Sequence, residues 1–218
     1  MITYFKTIND TDTPYHLDIS KAIDRIRNGA SKDLISQARL EKDKDSRNKL
    51  KKKLPAICFS GTFSKRLDSA IIEHSGIICL DFDGFRDDQH LHAKRMELIE
   101  DEFTYCLFTS PSGDGVKVLV RVPKDPKNHK KYFKALEKHY ACEEFDTSCK
   151  NISRVCYESY DPDIFINELS SVWEEMEKDV EIKTKMKATI KISDSNEIVR
   201  RLSLWWNKSY GMIQGQRN

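Results

Sequence analysis

Two apolar runs, Thr104-Tyr105-Cys106-Leu107-Phe108-Thr109 and Val116-Lys117-Val118-Leu119-Val120-Arg121-Val122, are separated only by Ser110-Pro111-Ser112-Gly113-Asp114-Gly115. Parallel strands need a crossover of a dozen residues or more, so a connection this short makes the pair an antiparallel hairpin. The glycines serve turn geometry in the plainest reading. A small-residue turn also exposes backbone N–H groups, which can form a nest for an anion. Lys117 follows at once, on the strand face opposite Val116 and Val118, placed to meet a phosphate as a point charge. The spacing is not that of a Walker A loop, and a strand follows rather than a helix.

Upstream, Gly76-Ile77-Ile78-Cys79-Leu80-Asp81-Phe82-Asp83 is an apolar run ending in two aspartates one residue apart. With a period of two, Asp81 and Asp83 share a strand face and Phe82 takes the other. Paired carboxylates repel unless a cation neutralises them, and hard divalent ions suit oxygen donors. A Mg²⁺ or Mn²⁺ site at a strand end is one reading, and a polar turn that starts a helix is the other. Downstream, Glu143 to Tyr157 carries Asp146 after a helix and Arg154 at the entry of a strand-like run. Asp146 can supply a third carboxylate and Arg154 can meet a phosphate or sugar. By themselves they read as a loop acid and a surface arginine.

The order hydrophobic-Asp-x-Asp, then Ser-x-Ser-Gly-x-Gly-x-Lys, then Asp-x-Ser with a following Ser-Arg resembles the archaeo-eukaryotic primase superfamily. More closely, it resembles the primase-polymerase-like VirE N-terminal domain of bacterial and mobile-element proteins, over roughly residues 1–170. Leu54 to Phe63 and Ser159-Tyr160-Asp161-Pro162-Asp163 add to the likeness. The resemblance implies that Asp81, Asp83 and Asp146 hold two catalytic metal ions. It implies that Ser110, Ser112, Gly113, Gly115 and Lys117 hold the triphosphate of an incoming dNTP or NTP, with Arg154 as a further basic contact. It implies an RRM-like sheet core with an added N-terminal α/β unit. Lys117 stands where most of the superfamily carries histidine; lysine keeps a positive donor but loses a group that titrates near neutral pH.

The expected activity is therefore a DNA primase or DNA polymerase-type nucleotidyltransferase, joining nucleotides on a DNA template or primer in replication of a mobile element or phage. Two other readings stand beside it. A metal-dependent nuclease or replication-initiation endonuclease would also cluster carboxylates, and would want a tyrosine or histidine near the metals; His90 and His92 of His90-Leu91-His92 read as surface or packing residues. A catalytically degenerate nucleic-acid-binding module is kept open by Lys117 in the histidine position.

Charged residues make up 33% of the 218, yet the formal net charge is only +2, so a nucleic-acid surface has to be a local patch. Lys42 to Lys53 is such a patch, with seven bases against two acids. Lys49, Lys51, Lys52 and Lys53 are its candidate DNA contacts, against the plainer reading of a solvated helix face. No run is long and apolar enough for a transmembrane helix, and no signal-peptide pattern opens the chain. Six cysteines without a Cys-x-x-Cys pair read as small buried hydrophobes of a reducing, cytoplasmic setting. His139, Cys142, Cys149 and Cys156 have spacings too long for a usual zinc set. His16, His74, His90, His92 and His129 read as surface or packing residues.

Periodicity predicts an edge strand over 2–7, a helix over 17–28 stopped by Gly29, and a second helix from Lys32 through the basic stretch. Strands follow over 55–60 and 77–83, a helix over 91–100, the hairpin, a helix over 129–140 and a strand over 154–158. That is a mixed α+β fold. Residues 1–170 read as the catalytic domain. Leu169, Val172, Trp173 and Met176 mark a helix that runs with a linker over 171–192. Ser193 or Asp194 caps a helix carrying Ile198, Leu202 and Trp205, which with Trp206 and Tyr210 opens a helical appendage over 193–218. The resemblance implies continuation into a helicase-like domain of a longer protein.

Overall fold

The computed structural model describes residues 1–178 and 198–204, in a chain that divides into units Met1–Lys178 and Asp179–Asn218. The first unit is α+β, built on two four-stranded antiparallel sheets and one small hairpin. Its order is β1 (Ile2–Phe5), β2 (Tyr15–Leu17), α1 (Ile19–Asn28), α2 (Lys32–Leu40), α3 (Lys44–Lys51), β3 (Ala56–Cys58), β4 (Gly61–Phe63) and β5 (Ile71–His74). Then come β6 (Ile77–Phe82), α4 (Asp88–Glu100), β7 (Thr104–Thr109), β8 (Val116–Arg121), α5 (His129–Tyr140), β9 (Cys156–Tyr157) and β10 (Phe165–Ile166).

The central sheet runs β10-β7-β8-β6, and the expected hairpin is β7 and β8. Past α5, Phe145 bridges Phe82 antiparallel on the free side of β6. The chain order strand-helix-strand-strand-helix-strand, with the last segment beside the first strand, is a split βαβ pattern. One face of this sheet carries Ile78, Leu80, Phe82, Leu107, Val118 and Val120 and is covered by Leu98 of α4 and by Tyr132, Phe133 and Leu136 of α5. Strand alternation sends Ile77, Cys106, Phe108 and Leu119 to the other face. There they meet Ile2, Ile57, Phe59 and the α1 residues Ala22, Ile23 and Ile26. A register shift between Thr104 and Cys106 bends β7 within this two-sided core.

The second sheet runs β2-β1-β3-β9. β1 is interior, flanked by β2 and β3, not the edge strand its sequence suggests. The second helix is also two. After Leu40 the chain turns extended, and Asp43 starts α3 by accepting a hydrogen bond from Ser46 N at 2.7 Å. The helix expected from Leu169 to Met176 does not form. Residues 171–178 instead lie as an irregular strap, with Trp173 N donating to Arg121 O at 2.8 Å and the indole against Phe103 and His139. Residues 198–204 are helical, as predicted for Ile198 and Leu202; the expected linker, the caps Ser193 and Asp194, Trp205, Trp206 and Tyr210 lie outside the described residues. Among the described residues no helix is long and apolar enough to cross a membrane.

Candidate functional site

β6 delivers its aspartate to a cavity between the two sheets. Leu80 and Phe82 are anchored in the core under the helices, so Cys79 and Asp81 face the other way. The antiparallel register sets Lys117 of β8 directly opposite Asp81. Lys117 Nζ donates to Asp81 Oδ2 at 2.5 Å. Only 7% of Lys117 is exposed. Burial alone would lower its pKa, but the Asp81 carboxylate outweighs burial and holds the ammonium above the usual lysine range.

The third carboxylate arrives through backbone pairing. Ala141, in the left-handed region at φ 36°, ends α5 and turns the chain back toward β6. Asp83 N then donates to Glu144 O and Asp146 N to Asp81 O, each at 2.9 Å. Asp146 is thereby locked beside Asp81. Its carboxylate accepts from Ser148 N at 2.9 Å, Ser148 Oγ at 3.0 Å and Cys149 Sγ at 3.1 Å, at the start of a short 3-10 helix (Thr147–Lys150). Arg154 Nη2 stands 3.7 Å from Asp146 Oδ2. Donor atoms of Asp81, Asp146 and Cys149 lie within 4.8 Å of one another.

Asp146 and Asp83 are shifted in opposite directions. Burial raises the Asp146 pKa, but the hydrogen bonds from Cys149 and Ser148 and the nearby Arg154 bring it below the ordinary value. Asp83 has no such donors; burial, then the charges of Asp81 and Asp146, hold its carboxyl above the ordinary value. Crowded acids with oxygen donors fit a hard divalent cation.

The Ser110–Gly115 turn closes the same end of the sheet. Ser110 N donates to Gly115 O at 2.8 Å and Gly113 N to Ser110 O at 3.0 Å. Gly113 sits at φ +87°, a conformation that suits glycine. A Cβ on Gly115 would come 2.5 Å from Phe82 O and 3.3 Å from Asp83 Cβ. The turn therefore presses against the end of β6, and the acid pair and turn form one structure. Three basic side chains from α2 and α3 brace it. Arg39 Nη2 donates to Ser110 O at 3.1 Å and to Tyr160 O at 2.8 Å, Arg47 pairs with Asp114 at 3.4 Å, and Lys51 Nζ donates to Ser112 Oγ at 3.3 Å.

A cavity of about 170 Å³ joins these parts, lined by Asp81, Asp83, Lys117, Ser110, Ser112, Arg154 and Lys51. Gly113 and Gly115 shape the turn, and Asp146 stands behind Asp81. Lys51, expected on a DNA-facing surface, points into the cavity, whereas Lys49, Lys52 and Lys53 are exposed. Arg39 escaped notice because nothing local links it to a turn some seventy positions on. Cys79, two residues before Asp81, was within reach of the period-two reading. Nothing in the sequence links His74 to His129, yet His74 Nε2 and His129 Nδ1 are 3.0 Å apart. Gly76 N donates to His74 Nδ1, so His74 carries its proton on Nε2 and donates to His129. Burial pushes their pKa values down to about 4 and about 3, so the pair is neutral and packs beneath the cavity.

The BT4734-like, N-terminal domain family matches residues 49–165, more than half of the chain and the span that holds every carboxylate and cation of the cavity. No curated protein and no solved structure matches the chain.

Proposed function

The chain belongs to the BT4734-like, N-terminal domain family, and we propose that it is a metal-dependent nucleotidyltransferase of the DNA primase–polymerase type. The observation that carries this reading is the closeness of Asp81 and Asp146 at a strand end, with Asp83 lining the adjoining cation-lined cavity and a glycine-serine turn pressed against that end. The resemblance to the primase superfamily, with its VirE N-terminal branch, supports the same assignment of roles.

Asp81, Asp83 and Asp146 would hold Mg²⁺ or Mn²⁺. When bound, such a pair of ions supplies charge stabilisation for the attacking and leaving oxygens of nucleotidyl transfer. In that reaction a primer 3′-hydroxyl attacks the α-phosphate of a dNTP or NTP, the P–O bond to the β-phosphate breaks, and pyrophosphate leaves. Lys117 and Arg154 neutralise triphosphate oxygens, and Ser110 and Ser112 donate from the turn. Lys117 has two states in this scheme. Without ligand its ammonium satisfies Asp81; were cations held by the carboxylates, it would be free to meet the phosphates. The exposed Lys49, Lys52 and Lys53 offer a phosphate-contacting edge for template and primer DNA. The setting we propose is cytoplasmic replication of a mobile element or phage, with a helicase-like domain elsewhere in the full-length protein.

Calorimetry of nucleotide binding with Mn²⁺ or Mg²⁺ tests the reading. Wild-type protein binds a nucleoside triphosphate only with metal, and Asp81→Ala/Asp83→Ala, folded by circular dichroism, does not. Folded wild-type protein that binds no dNTP or NTP with either ion overturns the proposal.

A further inference from the structure

Lys51 is the last residue of α3, and its side chain turns away from the basic surface its neighbours form. It lines the cavity and donates to Ser112 Oγ, a neutral partner. Among the described residues no carboxylate oxygen pairs with it. Asp114, the nearest acid of the turn, is taken by Arg47, and Asp81 by Lys117. A half-buried ammonium without a direct ion pair is unfavourable, because water is partly removed and the charges of Asp114 and Asp81 do not outweigh that loss. Burial indeed holds the Lys51 pKa below the ordinary lysine value. The fold keeps this charge at the mouth of an anion-suited turn, with a hydroxyl beside it.

We propose that Lys51, with Ser112, is the ligand of the terminal phosphate of the nucleotide, so that the site selects triphosphates over di- and monophosphates. This rests on the nucleotidyltransferase reading above and deepens it. The reacting α-phosphate belongs at the carboxylates, where Lys117 and Arg154 also stand. A cation seated on the turn and free of those carboxylates is left for the tail. Charge-assisted contacts of this kind are worth about 1.5–3 kcal/mol, or roughly a ten- to hundredfold change in affinity.

The test compares wild type, Lys51→Met and Lys51→Arg in binding dNTP, dNDP, dNMP, inorganic triphosphate and single-stranded DNA, each with Mn²⁺. The expected result is a ten- to hundredfold loss of dNTP and inorganic triphosphate affinity in Lys51→Met. Monophosphate and DNA binding stay within about twofold, Lys51→Arg recovers most of the loss, and the thermal midpoint does not fall. Equal losses for mono- and triphosphate, a loss confined to DNA, or wild-type triphosphate affinity would each overturn the assignment. The two proposals fail separately. Lys51-dependent binding of inorganic triphosphate without binding of any nucleotide keeps the phosphate site and removes the nucleotidyltransferase. Nucleotide binding that needs Asp81 and Asp83 but ignores Lys51 does the reverse.

Discussion

Asp83 is the residue whose charge this fold resists, since burial and the carboxylates of Asp81 and Asp146 all raise its pKa. A carboxyl raised above its unfolded value subtracts stability once pH exceeds the unfolded pKa, and the penalty disappears as pH falls through the folded pKa. Asp83→Asn is therefore expected to raise the thermal midpoint at neutral pH, by under about 1 kcal/mol because the group reaches water. The gain shrinks to nothing under acid conditions, and melts across pH measure both. Lys117 has the opposite sign. It is the buried counter-charge of the acid cluster, and Lys117→Met leaves Asp81 beside two further acids. Asp81 keeps some water contact, so the cost is about 2 kcal/mol rather than the 3–5 of a fully buried pair. Added Mn²⁺ recovers more of the melting temperature in this variant than in wild type, where the cation first displaces the lysine. That Asp81 and Asp83 share a face was legible because strand alternation fixes it; that Lys117 pairs with Asp81 was not, because the pairing comes from the cross-strand register of β6 and β8. That Lys51 turns inward was not, because helix periodicity cannot say which side of α3 the turn of residues 110–115 will meet.

Elements were readable in proportion to how far local chemistry determines them. α5 forms over His129–Tyr140 as its apolar spacing predicts, and α1 stops at Gly29 in the left-handed region. The break between α2 and α3 was missed because helix-forming lysines flank it and hid Asp43 as a cap. That cap fixes where α3 starts and so where Arg47 and Lys51 fall on the turn. Asp43→Ala is expected to cost about 1 kcal/mol of stability. It should also weaken nucleotide binding through Lys51, a loss that Lys51→Met no longer shows when the two are combined; a double-mutant cycle measures this. β2, β4, β5 and β10 have two to four residues each, too few for a period to register, and exist only because distant partners offer ladders. The pattern Leu169, Val172, Trp173 and Met176 has helical spacing without a helix. The Arg121 carbonyl accepts from Trp173 and overrides the local preference.

At the scale of the whole first unit, both faces of the central sheet must be covered before the acid strand can hold its register. α1 and the β2-β1-β3-β9 sheet cover one face; α4, α5 and the 171–178 strap cover the other. The strap closes the sheet at the strand ends away from the acids, where Val172 bridges Arg121 of β8. Trp173 is 4% exposed, its ring meets Phe103 at 4.9 Å and His139 at 4.8 Å, and its indole N–H donates to Glu175 O at 2.8 Å. Glu177 then pairs with Lys134 and Lys138 on α5, which lowers its pKa to about 2. The exposed ion pairs contribute little, so the tryptophan dominates. Trp173→Ala is expected to remove about 3–5 kcal/mol, a fall of roughly 10 °C in the thermal midpoint for a unit of this size. The unit boundary follows from the same contact. A fragment ending at Lys178 should melt cooperatively near the full chain's midpoint, whereas one ending at Ser170, where the sequence alone places the domain's edge, loses the tryptophan and should melt early. If both fragments melt alike, the strap is not part of the core. If the shorter one melts early yet regains the longer one's midpoint when a peptide of residues 171–178 is added, the strap acts through packing on a preformed sheet.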